Sequence, residues 1–167
     1  MSHRAPILAL VAACFALAGP AAAQSVALRG ADGGVTTLEA PELAALPRVS
    51  IPLTIYGEAH VFEGPLLIDV LTATGIQTGA ALRGPALAQA VVVRAADGYA
   101  VVFGLAELDP GTRPNRIILA DTVDGAPLKA GDGPFRLVAE GDLRPARSVR
   151  QVTAVEVVRL STSGTHP

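Results

Sequence analysis

The chain has 167 residues, of which 50% are apolar, 17% charged and 4% aromatic, and its formal net charge is −2. This length fits one domain, and the apolar content excludes a disordered protein, because disordered chains are too polar to bury a core. The sequence contains no basic stripe of the kind that follows a phosphate backbone. We therefore expect no nucleic-acid partner.

The N-terminal segment, residues 1–23, has the pattern of a secretory signal peptide. Two basic residues precede an apolar run from Ile7 to Leu17, and three alanines stand before Gln24. A basic start, an apolar centre and small residues at a cleavage point are typical of signals for export. We therefore predict a periplasmic protein whose mature part is one domain, residues 24–167.

Cys14 offers an alternative, because acylation of this cysteine would make the protein a lipoprotein. It is also the chain's single cysteine, so the mature domain would have no disulfide and no thiolate metal ligand. The mature domain keeps two histidines, His60 and His166. These are too few for a zinc site of the usual kind, and we expect no bound metal.

The first half of the mature domain has a short, β-like pattern. The stretch from Val26 to Glu39 is broken by the turn residues Gly30 to Gly34, which predicts a hairpin. Pro41 to Leu46 suggests one or two helical turns. Apolar and polar residues then alternate from Val49 to Ile55, which predicts a half-buried strand, and Pro52 places that strand at a sheet edge or a bulge.

The second half continues with one helix and several strands. The run from Pro65 to Gly75 predicts an amphipathic helix of about ten residues. A second hairpin is expected over Val91 to Phe103, and later strands over Ile117 to Ala120, Phe135 to Val138 and Val152 to Val158. Many short strands, few short helices and no βαβ repeat predict a β-rich α+β domain with mixed sheets.

The densest basic segment, Arg144 to Arg150, directly precedes the last predicted strand. Guanidinium forks beside a serine hydroxyl would suit a phosphate or a planar heterocycle with acceptor edges. The alternative is an exposed helical turn whose arginines form ion pairs with Glu140 and Asp142.

Five short motifs stand in a characteristic order along the chain. They are Phe62 to Leu71, Asp97 to Tyr99, Ile118 to Leu128, Gly133 to Val138 and Arg147 to Arg150. In this order they resemble the molybdopterin-binding domain of the sulfite oxidase type, over a region from about Ser50 to Leu160.

The resemblance also contains a departure. Catalytic members of that family ligate molybdenum through a cysteine ahead of the helix, and the matching stretch here, Arg48 to Tyr56, has none. The chain is more similar to small secreted members that bind a pterin and report it to a membrane signalling partner. The resemblance therefore implies a pterin or molybdopterin ligand and a sensor with no catalytic residues, rather than an oxidoreductase.

By position, the resemblance assigns the ligand site to five residues. Arg147, Ser148 and Arg150 would contact the pterin or its phosphate tail, Arg136 would lie beside them, and Tyr56 would pack on the ring. Two alternatives stay open. One is a molybdenum-cofactor-dependent oxidoreductase without a cysteine ligand, and the other is an interaction module that binds no small molecule.

Overall fold

The computed structural model describes residues 24–72 and 75–160. The predicted signal segment 1–23, with Cys14, and also His166 lie outside these ranges. The described part contains eleven strands and two short α-helices, which confirms the predicted β-rich α+β class. The strands are β1 (Ser25–Arg29), β2 (Val35–Glu39), β3 (Arg48–Ile55), β4 (Glu58–Pro65), β5 (Gln89–Ala95), β6 (Ala100–Gly104), β7 (Ile117–Ala120), β8 (Thr122–Val123), β9 (Ala126–Pro127), β10 (Arg136–Ala139) and β11 (Val152–Arg159), and the helices are α1 (Ala40–Ala44) and α2 (Leu67–Thr72).

The largest sheet has five strands in the order β2-β1-β11-β5-β6. Its outer pairs, β1 with β2 and β5 with β6, are the two predicted hairpins. Strand β11 lies between them, parallel to β1 and antiparallel to β5. Alternate residues such as Val91, Val93 and Val155 are fully buried, because successive side chains of a strand point to opposite faces of the sheet.

A second sheet has the order β3-β4-β8-β9, with β3 at its edge. Pro52 lies within β3, so the predicted edge position of this proline is confirmed. The hairpin of β3 and β4 turns at Tyr56 and Gly57, and the hairpin of β8 and β9 turns at Asp124 and Gly125. Both turns belong to the wall that carries the candidate site.

Strands β7 and β10 pair with each other and are shared by two hydrophobic clusters. Ile117, Leu119 and Leu137 face the larger cluster, which the five-stranded sheet also lines. Ile118 and Val138 face the smaller cluster beside β3 and β4. Because both faces of this ribbon are buried, these strands have a continuous apolar run instead of an alternating one.

Helix α2 is shorter than predicted, with six residues from Leu67 to Thr72. Gly64 and Pro65 remain in strand β4, where they pair with Val49 and Arg48 of β3. The chain can begin the helix only after this pairing ends. No helix in residues 24–72 and 75–160 is long and apolar enough to cross a membrane.

One ion pair links the β10 end to the segment before β7. Arg116 donates from its backbone N and its Nε to Oε2 of Glu140 at 2.9 and 2.8 Å, and from Nη2 to Oε1 at 2.6 Å. The side-chain hydrogen bond from Arg116 holds the pKa of Glu140 below its usual value.

We expect this pair to make stability fall in acid. Since the folded protein takes up the Glu140 proton later than the unfolded chain does, the contribution is complete above the ordinary glutamate pKa of about 4.3 and is lost as pH falls through the lowered value. Urea unfolding at a series of pH values should show a shallower acid decline for Glu140→Gln than for wild type. Equal declines would contradict this assignment.

Candidate functional site

A cleft of about 880 Å³ opens between the two hairpin turns and the loops on either side of β10. Its walls come from the β3–β4 hairpin, the β8–β9 hairpin, the loop before β10 and the segment before β11. We call this space the cleft, and its lining residues are Ile55, Tyr56, His60, Phe62, Ala95, Asp97, Tyr99, Val123, Asp124, Ala126, Pro127, Lys129, Gly131, Asp132, Arg136, Pro145, Ala146, Ser148, Val149, Arg150 and Gln151.

Arg136, the first residue of β10, is the most buried charged residue of the cleft. Its side chain is 8% exposed and its Nη1 donates to Oδ1 of Asp132 at 2.8 Å. The guanidinium carbon lies 5.1 Å from the centre of the Phe62 ring, which gives a cation–π contact. Its Nε is buried and has no hydrogen-bond partner among the described residues.

Burial lowers the pKa of Arg136 from its usual value, and the nearby charge of Arg150 adds to this effect, while Asp132 opposes it. The side chain still carries its charge, because an arginine is protonated in proteins under ordinary conditions. An unpartnered, buried N–H on a charged group is costly, since buried polar groups are normally hydrogen-bonded. The guanidinium lines the cleft and has further N–H donors besides the one that pairs with Asp132, so Arg136 is a candidate for contact with a ligand.

Three residues of the cleft have an unusual backbone conformation. Tyr56, Asp124 and Gln151 have φ values of +51, +50 and +49°, and no other non-glycine residue in the described ranges has a positive φ. Tyr56 and Asp124 are the first central residues of two-residue hairpin turns, completed by Gly57 and Gly125, and this turn type requires a positive φ at both positions. All three residues line the same cleft, so these turns help to set the shape of its walls.

Tyr56 stands at the tip of the β3–β4 hairpin and its side chain is fully exposed. The ring lines the cleft and has no described residue stacked on it. On the opposite wall, Tyr99 donates its hydroxyl to the carbonyl of Ala146 at 2.9 Å. The cleft therefore has an exposed aromatic ring on one rim and a fixed one on the other.

Ser148 lies behind Arg150 in the segment before β11 and is buried. Its Oγ accepts a hydrogen bond from the backbone N of Ala139 at 3.3 Å. Its own hydroxyl proton has no acceptor among the described residues. It can be donated to a ligand that reaches this depth.

The charges of the cleft differ in how well they are already paired. Its carboxylates, Asp97, Asp124 and Asp132, each accept at least one hydrogen bond from the protein. Arg150 and Lys129 are exposed, and neither forms an ion pair within the described part of the chain. Asp97 also forms no ion pair in these ranges, so the cleft has unpaired charges of both signs, and Arg150 and Lys129 are the ones available to an anionic group.

Arg147 does not line the cleft, although the sequence assigned it a ligand contact. Its guanidinium forms ion pairs with Asp142 at 2.7 Å and Glu107 at 3.0 Å, and lies 4.5 Å from the centre of the Phe103 ring. The hydrogen bonds to Asp142 raise its pKa further. For Arg147 the structure shows the alternative role, an arginine paired with a neighbouring carboxylate in a short helical turn, Pro145–Arg147.

The structure thus brings Tyr56, Arg136, Ser148 and Arg150 to one cleft and leaves Arg147 outside it. Sequence reasoning treated Asp124 as a turn residue and did not place it in the site. Its partner lies 64 positions away in the sequence, so no local pattern could indicate it.

In the described ranges, no three His, Cys, Asp or Glu side chains are grouped as metal ligands would be. The polar groups that line the cleft are guanidinium, ammonium, hydroxyl and imidazole groups, together with the carboxylates of Asp97, Asp124 and Asp132. These groups bind organic anions and heterocycles through hydrogen bonds.

Comparison with known proteins gives a likeness in fold. No family model and no curated protein matches the chain. Among solved structures, the sulfane dehydrogenase SoxCD from Paracoccus pantotrophus is similar, with a TM-score of 0.57 and 15% sequence identity. The match covers 84% of this chain and 39% of that one, so the chain spans about two fifths of its structural neighbour. At this identity the likeness shows the fold alone.

Proposed function

We propose that the cleft binds a pterin, free or as part of molybdopterin, and that the protein is a ligand-binding sensor rather than a catalyst. The observation that carries the proposal is Arg136, a buried cation that lines the cleft, stacks on Phe62 and uses only its Nη1 in the bond to Asp132. The sulfite oxidase-type motif order in the sequence and the likeness in fold to a sulfane dehydrogenase support the same ligand class.

The dimensions and chemistry of the cleft fit such a ligand. Small-molecule sites usually have volumes of about 300–1,000 Å³, a range that includes the 880 Å³ of the cleft. A pterin is planar, with amide and amino edges, and is often joined to a phosphate. Its ring could stack against Tyr56 and accept hydrogen bonds from Arg136 and Ser148, while Arg150 and Lys129 could hold the phosphate.

A complete molybdenum cofactor would supply redox chemistry at its metal when bound. The residues of this chain would bind and orient its pterin, because the cleft presents donors and aromatic rings. The predicted mature domain has no cysteine that could act as the thiolate ligand, since Cys14 lies in the predicted signal segment. For this reason we propose binding without turnover.

The cellular setting of the proposal rests on the sequence. The N-terminal pattern supports export to the periplasm. The resemblance to small secreted pterin-binding proteins supports a membrane-bound signalling protein as the partner. In this proposal the partner protein recognises the cleft when the ligand is bound in it.

Replacing Arg150 with alanine should weaken pterin binding about tenfold or more, because one charge-assisted contact would be lost. Arg150 is exposed and forms no ion pair with any residue that the structure describes, so the fold should be unaffected. The probe is pterin-6-carboxylate, and its fluorescence quenching gives the dissociation constant.

Arg94→Ala is the matched control. Arg94 is also an exposed arginine, 52% accessible, but lies outside the cleft and pairs with Glu156 at 3.5 Å. Its removal should leave the affinity unchanged within about twofold. Equal effects of the two substitutions would indicate a general charge effect and contradict the assignment of Arg150.

A further inference from the structure

His60, on strand β4, is held in a fixed orientation at one wall of the cleft. Its Nδ1 lies 2.8 Å from Oδ2 of Asp124, and Oδ1 of the same carboxylate accepts the backbone N–H of Val61 at 2.8 Å. The His60 ring also contacts Phe62 edge-on, with the ring centres 6.3 Å apart. One wall therefore joins His60 to the ring on which Arg136 stacks.

The partner of Nδ1 decides which nitrogen of His60 carries the proton. The hydrogen bonds from His60 and from the Val61 N–H lower the pKa of Asp124, so this carboxylate stays ionised and can only accept hydrogen bonds. The proton of a neutral imidazole must then be on Nδ1. Nε2 is left with a lone pair and has no partner within hydrogen-bond distance among the described residues, since Oε2 of Glu58 is 3.8 Å away.

We propose that His60 is a further ligand-binding residue of the cleft, whose Nε2 accepts a hydrogen bond from an N–H on the edge of the bound heterocycle. This inference rests on the proposed function and deepens it, because it gives the ligand a direction. The donor edge of the ligand would face His60, and its anionic part would face Arg150 and Lys129.

The charged and titratable groups around His60 are Asp124 from the β8–β9 turn, Glu58 from its own strand, Tyr56 from the β3–β4 turn and Arg136 from β10. Asp124 holds the ring through Nδ1, and Nε2 is the nitrogen left for a ligand.

Three substitutions separate the parts of this arrangement. Asp124→Asn keeps an oxygen for the Val61 N–H but presents an amide donor to Nδ1, which forces the proton onto Nε2. Asparagine tolerates the φ of +50° at this position, so the turn should be kept. His60→Gln provides an acceptor near Nε2 that does not titrate, and His60→Asn provides a donor to Asp124 without any group at the Nε2 position.

The experiment measures the affinity for pterin-6-carboxylate, and each variant is compared with wild type in the same buffer. We expect Asp124→Asn and His60→Asn to bind about tenfold more weakly than wild type, and His60→Gln to bind within about threefold.

The outcomes distinguish this inference from the proposal on which it rests. If wild type binds but Asp124→Asn and His60→Asn match its affinity, the His60 contact is contradicted and the pterin site stands. If wild type binds no pterin, both are contradicted. Circular dichroism confirms that each variant is folded, and ¹⁵N NMR of the free protein should show the proton of neutral His60 on Nδ1. A proton on Nε2 in the wild-type protein would also overturn the inference.

Discussion

Replacing Arg136 with methionine should abolish pterin binding while leaving the protein about as stable as wild type. The loss of affinity should be about a hundredfold or more, because a buried, charged donor on the floor of the cleft is removed. Methionine has a similar length and can pack on Phe62. The carboxylate that loses its partner, Asp132, has a side chain 38% exposed and can be hydrated, so we expect the free energy of unfolding to change by less than about 1 kcal/mol.

Asp132→Asn is the matched contrast, because it keeps Arg136 and removes its carboxylate partner. The buried charge would then lack its counter-charge, and we expect the free energy of unfolding to fall by about 1–3 kcal/mol. Urea unfolding and the fluorescence titration are measured on the same samples. A large loss of stability in Arg136→Met with retained binding would show that Arg136 serves the fold and not the ligand.

Replacing Gly64 with alanine should cause the largest loss of stability of any substitution described here. Gly64 lies in β4 where this strand crosses β7, and a Cβ atom there would overlap the backbone oxygen of Leu119 and lie 2.7 Å from Cα of Ala120. Both obstacles are backbone atoms, which cannot move aside as a side chain can. We expect a loss of about 3–5 kcal/mol in the free energy of unfolding.

Gly104→Ala is the control for Gly64→Ala. Gly104 ends strand β6, and the nearest atom to an added Cβ would be Oε2 of Glu107 at 4.0 Å. This substitution should cost less than about 1 kcal/mol. Similar losses for both glycines, measured by urea unfolding, would contradict the close approach of β4 to β7.

The sequence predicted most strands because their signals are local. Alternating valines in β5 and β11 and Asp–Gly pairs at the turns determine the strand positions and their ends. The length of α2 was predicted wrongly, because the helical spacing of apolar residues begins at Pro65 while the backbone of Gly64 and Pro65 is still paired with β3. That pairing is made with the preceding strand of the same hairpin, and the helical spacing of the apolar residues does not indicate where it ends.

The candidate site was predictable only in part for the same reason. Arg147 and Arg150 are three positions apart in an irregular segment, where no period indicates which side chain faces which way. In the structure Arg147 forms ion pairs with Asp142 and Glu107, whereas Arg150 lines the cleft. Likewise, the contact between His60 and Asp124 exists because two hairpin strands, β4 and β8, are neighbours in one sheet.

The central claim is that the cleft around Arg136 holds a pterin, and mass spectrometry of the ligand retained by the protein tests it most directly. Wild type and Arg136→Met are produced in the native cells, purified without added ligand and denatured to release what they carry. The account predicts a compound of pterin mass and fluorescence at close to one per chain from wild type and none from Arg136→Met. Wild type that releases no pterin, or Arg136→Met that releases as much as wild type, would contradict it.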